Sequence, residues 1–269
     1  MSQRVAKVRG ESLFKAATMG PLILMLTFFV GIIVAIIAHT DWNTLLSALF
    51  SREILFAIKL SLITATVATI IAVCIAIPAA HALSKADFRC KAMVDTILDL
   101  PIVLSPVALG AALLVFFNTP LGRGIENNIM RFVFEVPGII LAQFTVVSAL
   151  AIRLLKSTFD DIDPRYEQVG RTLGYGRLGV FFRVVLPLAK NGLLAAFILT
   201  WARAVGEFGA TVTLVGATPF KTETLPIAIF LCLSSADVER AIAVILVLIT
   251  IAAGTLLFIR KIGDQQDLI

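Results

Sequence analysis

The chain has 269 residues, 59% of them hydrophobic and only 15% charged, with a formal net charge of +5. A soluble globular domain carries roughly a quarter charged residues, so this balance excludes a water-soluble enzyme and reads as a polytopic membrane protein. Once the apolar runs are placed, no stretch remains for a large soluble domain, so an ATPase, receptor or redox partner has to be another chain.

Residues 1–20 are polar and basic and form an N-terminal segment. The apolar run that follows is too long, and followed by too many others, for a cleavable signal, so a membrane anchor is expected there. Six apolar segments fall at about 21–39, 54–83, 93–117, 137–155, 192–216 and 241–259, each near the ~20 residues that span a hydrocarbon core. They predict an all-α fold, a single transmembrane domain over 21–262 and a short tail over 263–269. Pro78 lies in the second segment and Pro101 and Pro106 in the third, so bent or tilted helices are expected.

Lysine and arginine bias sets the orientation. Arg4, Lys7, Arg9, Lys15, Lys85, Arg89, Lys91, the basic residues from Arg153 to Lys190, Arg260 and Lys261 fall on one side, sixteen in all. Arg52, Lys59, Arg123, Arg131, Lys221 and Arg240 fall on the other, and Arg203 lies within a span. Both termini are therefore expected in the cytoplasm, in a multi-pass protein of the cell membrane. The bias accounts for the net charge without a nucleic-acid partner. Cys74, Cys90 and Cys232 lack any paired or metal-type spacing and are expected as small apolar fillers. His39 and His81 sit near predicted helix ends as interfacial or packing residues, and no metal site is expected.

The longest cytoplasmic connection covers about 159–187. Asp163 followed by Pro164 is a helix start, an N-cap and then proline at the first position, with Glu167 near the positive end of the dipole. The helix is expected to end near Leu173, with Gly174 as the C-terminal cap. Residues 178–185 then re-enter helix and lead to Leu186-Pro187 at the membrane boundary. An amphipathic loop helix on lipid headgroups is one reading of this segment, and a docking element for a soluble partner is the other.

Thr200, Arg203, Glu207 and Thr211 fall within about an 80° stripe of the fifth span. With ~1.5 Å of rise per residue, Arg203 lies ~16 Å and Glu207 ~22 Å into it. An intramembrane ion pair costs enough to be a functional-site hypothesis by default. The pair is expected either to shape a closed gate on a path for a polar solute or to glue helices together, with the threonines donating to backbone carbonyls. Gly206 and Gly209, on another side of that helix, are expected to permit close packing against a second copy.

Gln168-Val169-Gly170-Arg171-Thr172-Leu173-Gly174, followed twelve residues later by Leu186-Pro187, resembles the cytoplasmic motif of ABC importer permeases, written EAA, three residues, G, nine residues, I or V, one residue, LP. The glutamate position holds Gln168, with Glu167 one residue earlier, and the second alanine position holds Gly170; which of Glu167 and Gln168 makes the usual polar contact stays open. The stretch from Trp201 to Ala210 is similar to molybdate, tungstate and sulfate permeases, and Phe208-Gly209-Ala210-Thr211 together with Thr224-Leu225-Pro226-Ile227-Ala228-Ile229 favours the molybdate/tungstate branch. The resemblance implies a type I importer permease, non-enzymatic, acting as a homodimer with the path on its two-fold axis. It also implies cytoplasmic ATPase subunits that hold ATP and magnesium, and an external substrate-binding protein. Glu167, Gln168, Arg171, Gly174, Tyr175, Leu186 and Pro187 would then couple to the ATPase.

No GxxxxGK[ST] phosphate loop is present, so no nucleotide or other cofactor is expected on this chain. A sulfate permease is the alternative, followed by an ion-coupled secondary transporter, which would favour coupling carboxylates at the midplane; Glu207 is the only acidic residue expected deep in a span. A membrane-embedded enzyme would need paired carboxylates, a zinc-type histidine cluster or a nucleophile with its base, and none appears within the spans. A channel would leave the cytoplasmic motif without a role.

Overall fold

The computed structural model describes residues 2–38 and 42–264, and no strand occurs among them. The helices are α1 (Ser2–Ala38), α2 (Trp42–Leu49), α3 (Arg52–Lys85), α4 (Lys91–Val103), α5 (Pro106–Asn118), α6 (Pro120–Asn128) and α7 (Val136–Asp160). They continue as α8 (Pro164–Thr172), α9 (Arg177–Val180), a π-helical turn (Phe181–Val185), α10 (Leu186–Val205), α11 (Gly209–Val215), α12 (Leu225–Ser234) and α13 (Val238–Asp264). His39, expected at the end of the first span, lies outside the described residues, as does most of the expected C-terminal tail.

Five stretches are long and apolar enough to cross a membrane: Ala17–Ala38, Arg52–Lys85, Val136–Asp160, Arg177–Val205 and Val238–Phe258. The third expected span is not one helix. Lys91–Val103 and Pro106–Asn118 meet at 110°, because proline forces the residue before it out of helical geometry. Ser105 is accordingly extended (φ −64°, ψ 143°), and its hydroxyl caps the new helix by accepting from the Ala108 N–H at 3.2 Å. Pro101, by contrast, lies inside α4 without ending it. The bend between α4 and α5 thus has a local cause in the sequence, and only one of the two prolines acts on it.

The fifth expected span is also corrected. Helix begins at Arg177 rather than near residue 192 and stops at Val205, and α11 starts only at Gly209. The Arg203–Glu207 pair therefore lies across a helix end, and Thr211 belongs to a separate short helix.

The bundle is built on the α3–α7 seam, its most extensive helix contact. Ala65, Ala68, Ala72, Ala76 and Ala80 of α3 and Ala142, Ala149 and Ala151 of α7 are all fully or nearly fully buried. In lipid, where apolar side chains gain little by leaving the tails, small residues hold helices together by letting backbones approach. Two helices leave most of their surface uncovered: the apolar window of α1 is 0% buried, and α4, though it packs on α7, fully buries none of its residues. Cys74 and Cys90 are exposed and Cys232 is half-buried.

Candidate functional site

Arg203 Nη1 lies 2.7 Å from Glu207 Oε2, with the glutamate side chain 1% exposed and the arginine 39%. The second carboxylate oxygen is used as well: Oε1 accepts from the Ala210 N–H at 3.0 Å and so caps the start of α11. One buried glutamate therefore neutralises the arginine and satisfies a backbone donor that the break in the helix would leave orphaned. Gln143 of α7 serves the other side of the break, donating through Nε2 to the Ala204 carbonyl at 3.2 Å.

Thr200 and Thr211 are fully buried, yet neither hydroxyl has a hydrogen-bond partner. They do not donate to the preceding turn, as the structural reading of the stripe required and as Thr64 and Thr213 do at 2.9 and 2.7 Å. Gln143 Oε1 is likewise without a partner. The structure thus places an ion pair and three unsatisfied polar atoms around one helix break.

That break meets the other one. A Cβ on Gly209 would stand 3.0 Å from Pro106 Cβ, and one on Gly110 would stand 2.6 Å from the Ala210 carbonyl. Gly209 and Gly110 thus let α11 lie on the first turns of α5, immediately after the 110° bend. Gly209 serves a contact within this chain, and Gly206 meets only carbonyls of its own turn. Irregular backbone at membrane depth is stable only where protein buries it or where it lines a wet cavity, and the two breaks brought together make this junction the candidate site of the bundle.

The segment after α7 folds as its residues dictate. Asp163 Oδ1 accepts from the Arg165 N–H at 2.9 Å, and α8 follows. Its end is a Schellman motif: the Tyr175 N–H donates to Gly170 O at 3.2 Å, the Gly174 N–H donates to Arg171 O at 3.1 Å, and Gly174 takes φ +88°. Gly170, at the motif's second alanine position, lets α8 rest on the re-entering helix, since its Cβ would stand 3.1 Å from Val180 and 3.4 Å from Val184. Leu186 donates to Phe181 O across the π turn, just before Pro187, which has no N–H to give.

Glu167 and Gln168 point differently. The Glu167 side chain is 25% exposed, with Oε1 3.9 Å from Nε2 of His81 on α3, whereas Gln168 and Arg171 are exposed. Tyr175 carries the Arg183 guanidinium over its ring at 5.0 Å. Lys85 Nζ, at the end of α3, donates to Ile162 O at 2.8 Å and ties the segment down.

One cluster escaped the sequence reading. Arg153 of α7 forks onto α4, pairing with Asp95 at 3.0 Å, donating to the Asp95 carbonyl at 3.0 Å and bonding Asp99. Asp95 and Asp99 are four residues apart on one face of α4, which lets a single guanidinium meet both.

At the opposite end, Glu135 pairs with Lys221 at 2.6 Å, and Glu223 accepts from the Phe220 N–H at 3.0 Å. Burial pushes the Glu223 carboxyl above its ordinary value, the bond from Phe220 opposing it. Among the described residues no group of three or more His, Cys, Asp or Glu side chains could hold a metal ion.

Broken spans meeting at a polar centre, with a capped helix projecting from the far end, define an integral membrane permease. The chain belongs to the binding-protein-dependent transport system inner membrane component family, whose model matches residues 72–261. It is 35% identical over 244 residues to a probable molybdenum ABC transporter permease of Haloferax volcanii, covering 90% of this chain and 88% of that one. To the molybdenum transport permease ModB of Escherichia coli K12 it is 34% identical, over 70% of this chain and 83% of the relative. A sulfate transport permease, CysW of Synechocystis, is 30% identical over 85% and 83%. The fold matches a chain of the bacterial alginate ABC transporter solved in complex with a periplasmic protein, with TM-score 0.78 at 15% identity over 97% and 96% of the two chains.

Proposed function

We propose that this chain is the permease subunit of an ATP-driven importer of molybdate and tungstate, working as a homodimer by alternating access. The observation that carries the mechanism is α8, a nine-residue helix closed at both ends by its own caps and seated on the helix that re-enters the bundle as α10. A rigid piece so placed passes a partner's displacement directly to the spans. Likeness to molybdenum permeases over most of the chain supports the substrate.

In this reading, α8 and both termini face the cytoplasm. Two ATPase subunits, which hold ATP and magnesium, close and displace α8 through Gln168, Arg171, Gly174 and Tyr175, and Leu186-Pro187 lead that movement into α10. The meeting of the two breaks, with Thr200, Arg203, Glu207 and Thr211, is the gate that opens outward to an anion delivered by an external binding protein. Glu207 keeps Arg203 from trapping a divalent oxyanion, since an unpaired guanidinium in a site of low dielectric would hold it tightly. The uncovered faces of α1 and α4 support a second copy across the path.

The test is reconstitution of the permease with its ATPase and binding protein in proteoliposomes, with ATP supplied and labelled molybdate uptake measured against tungstate and sulfate. ATP-dependent molybdate uptake, competed by tungstate, is expected. Uptake of sulfate without molybdate would move the chain to the sulfate branch, and a purified complex without an ATPase subunit would refute the reading.

A further inference from the structure

We infer that His81 and Glu167 form a hook through which α8 pulls on α3, leaving Gln168 as the residue that meets the ATPase. The inference rests on the coupling reading above and goes beyond it by naming the side chain that receives the stroke.

His81 sits near the end of α3, and three other elements converge on it. Its ring lies edge-on to Phe159 of α7 at 5.6 Å and to Phe181 of the π turn at 4.8 Å, and its Nε2 faces Glu167 of α8. Because α8 rests its backbone on the re-entering helix rather than on α3, side chains make the link to α3. Lys85 reaches the Ile162 carbonyl, and His81 faces Glu167.

The second contact is incomplete. At 3.9 Å the two atoms are about 1 Å too far apart for a hydrogen bond. Yet His81 Nε2 and Glu167 Oε1 are each buried and without any partner. Two unsatisfied polar atoms aimed at each other favour whichever state closes the gap, since a buried polar atom without a partner costs more than a made bond contributes. A cavity of about 160 Å³, lined by His81, Glu167, Arg171, Arg177, Val180 and Phe181, leaves room for α8 to move inward. When the ATPases drive α8 toward the bundle, the imidazole donates from Nε2 to the carboxylate and α3 follows. Glu167 is thus a positioning residue on the inner face of α8, and Gln168 lies on its outer face, where a partner can reach it.

The experiment uses the full complex in proteoliposomes, reading molybdate uptake per ATP hydrolysed. His81→Phe keeps both ring contacts and removes the donor. It is expected to lower uptake per ATP about tenfold, the loss of one charge-assisted bond in one state, with the ATPase co-purifying as in the native complex. His81→Gln, which retains a donor, restores most of the coupling, and Gln168→Ala weakens ATPase co-purification instead. Glu167→Ala reproduces the loss seen with His81→Phe, and the double variant loses no more. Uptake per ATP within twofold of native for His81→Phe, or additive losses in the double variant, overturns the hook. A native complex that retains no ATPase overturns the coupling reading itself, so the two failures are told apart.

Discussion

The Arg203–Glu207 pair predicts an unequal response to its two halves. Arg203→Gln leaves a carboxylate that is 1% exposed without its cation, and breaking a buried pair in this way costs about 3 kcal/mol. Glu207→Gln leaves a guanidinium that is 39% exposed and can turn to a polar surrounding. The glutamine oxygen still accepts from Ala210, so about 1 kcal/mol is expected there. Removing both charges should recover about 2 kcal/mol of the Arg203→Gln loss, a coupling that a double-mutant cycle measures directly. Denaturant titration of the purified permease in detergent reads all four proteins. Should Glu207→Gln be as destabilising as Arg203→Gln, or the double variant no better than Arg203→Gln alone, the burial argument fails. Uptake normalised to assembled complex then separates the roles: with assembly intact, unchanged uptake in Arg203→Gln would make the pair a structural fastening only.

Gly174→Ala should destabilise the end of α8 by about 1 kcal/mol, because φ is +88° and a Cβ there meets no neighbour, so the cost lies in the backbone alone. Amide exchange over 164–175 should quicken, and Gly174→Asn should lose less. Gly110→Ala sets a Cβ against the Ala210 carbonyl and should cost about 1–3 kcal/mol in thermal or denaturant unfolding. Gly206→Ala, with nothing closer than 3.8 Å, should stay within about 0.5 kcal/mol of the native protein. The raised Glu223 carboxyl means the folded state binds that proton more tightly than the unfolded chain. Its contribution is therefore full below the ordinary value of 4.5 and is lost as pH rises through the folded value. Glu223→Gln should match or exceed native stability at pH 7, the gap closing below pH 4.5; a native protein that gains on the variant as pH rises contradicts this.

What could be read from sequence was what short-range chemistry decides. Asp163-Pro164 and Gly174 set the ends of α8 from within the segment, and the six apolar runs follow from the need to satisfy backbone groups inside lipid. The breaks were legible only in part. Pro101 and Pro106 look alike in sequence, yet only Pro106 has a serine before it that is extended and caps the next turn. At the fifth span no proline warns of the stop after Val205. There the Glu207 carboxylate caps the next helix from within the segment, while a glutamine from α7 and the close seat on α5 are tertiary partners with no local signature. The Arg153 fork was hidden for the same reason, its partners being 54 and 58 residues away.

The polar stripe is not one face of one helix. Thr200, Arg203, Glu207 and Thr211 were grouped by the period of a helix that stops between them. The structure keeps Arg203 and Glu207 paired across the helix end and carries Thr211 on α11, which lies against α5 and is held by the Glu207 carboxylate. Were the site only a fastening, its hydroxyls would be spent on the carbonyl of the preceding turn, as at Thr64, Thr66, Thr145 and Thr213. Those at Thr200 and Thr211 are buried and unused, and Gln143 holds an unused oxygen beside the same break. Each such atom costs about 1–3 kcal/mol in a sealed core, and a path that admits water or an anion in part of its cycle removes that cost. Thr69 of α3 and Thr224 before α12 also carry buried, unpartnered hydroxyls, so what argues for passage at this junction is that such atoms occur there together with a buried ion pair and two broken helices.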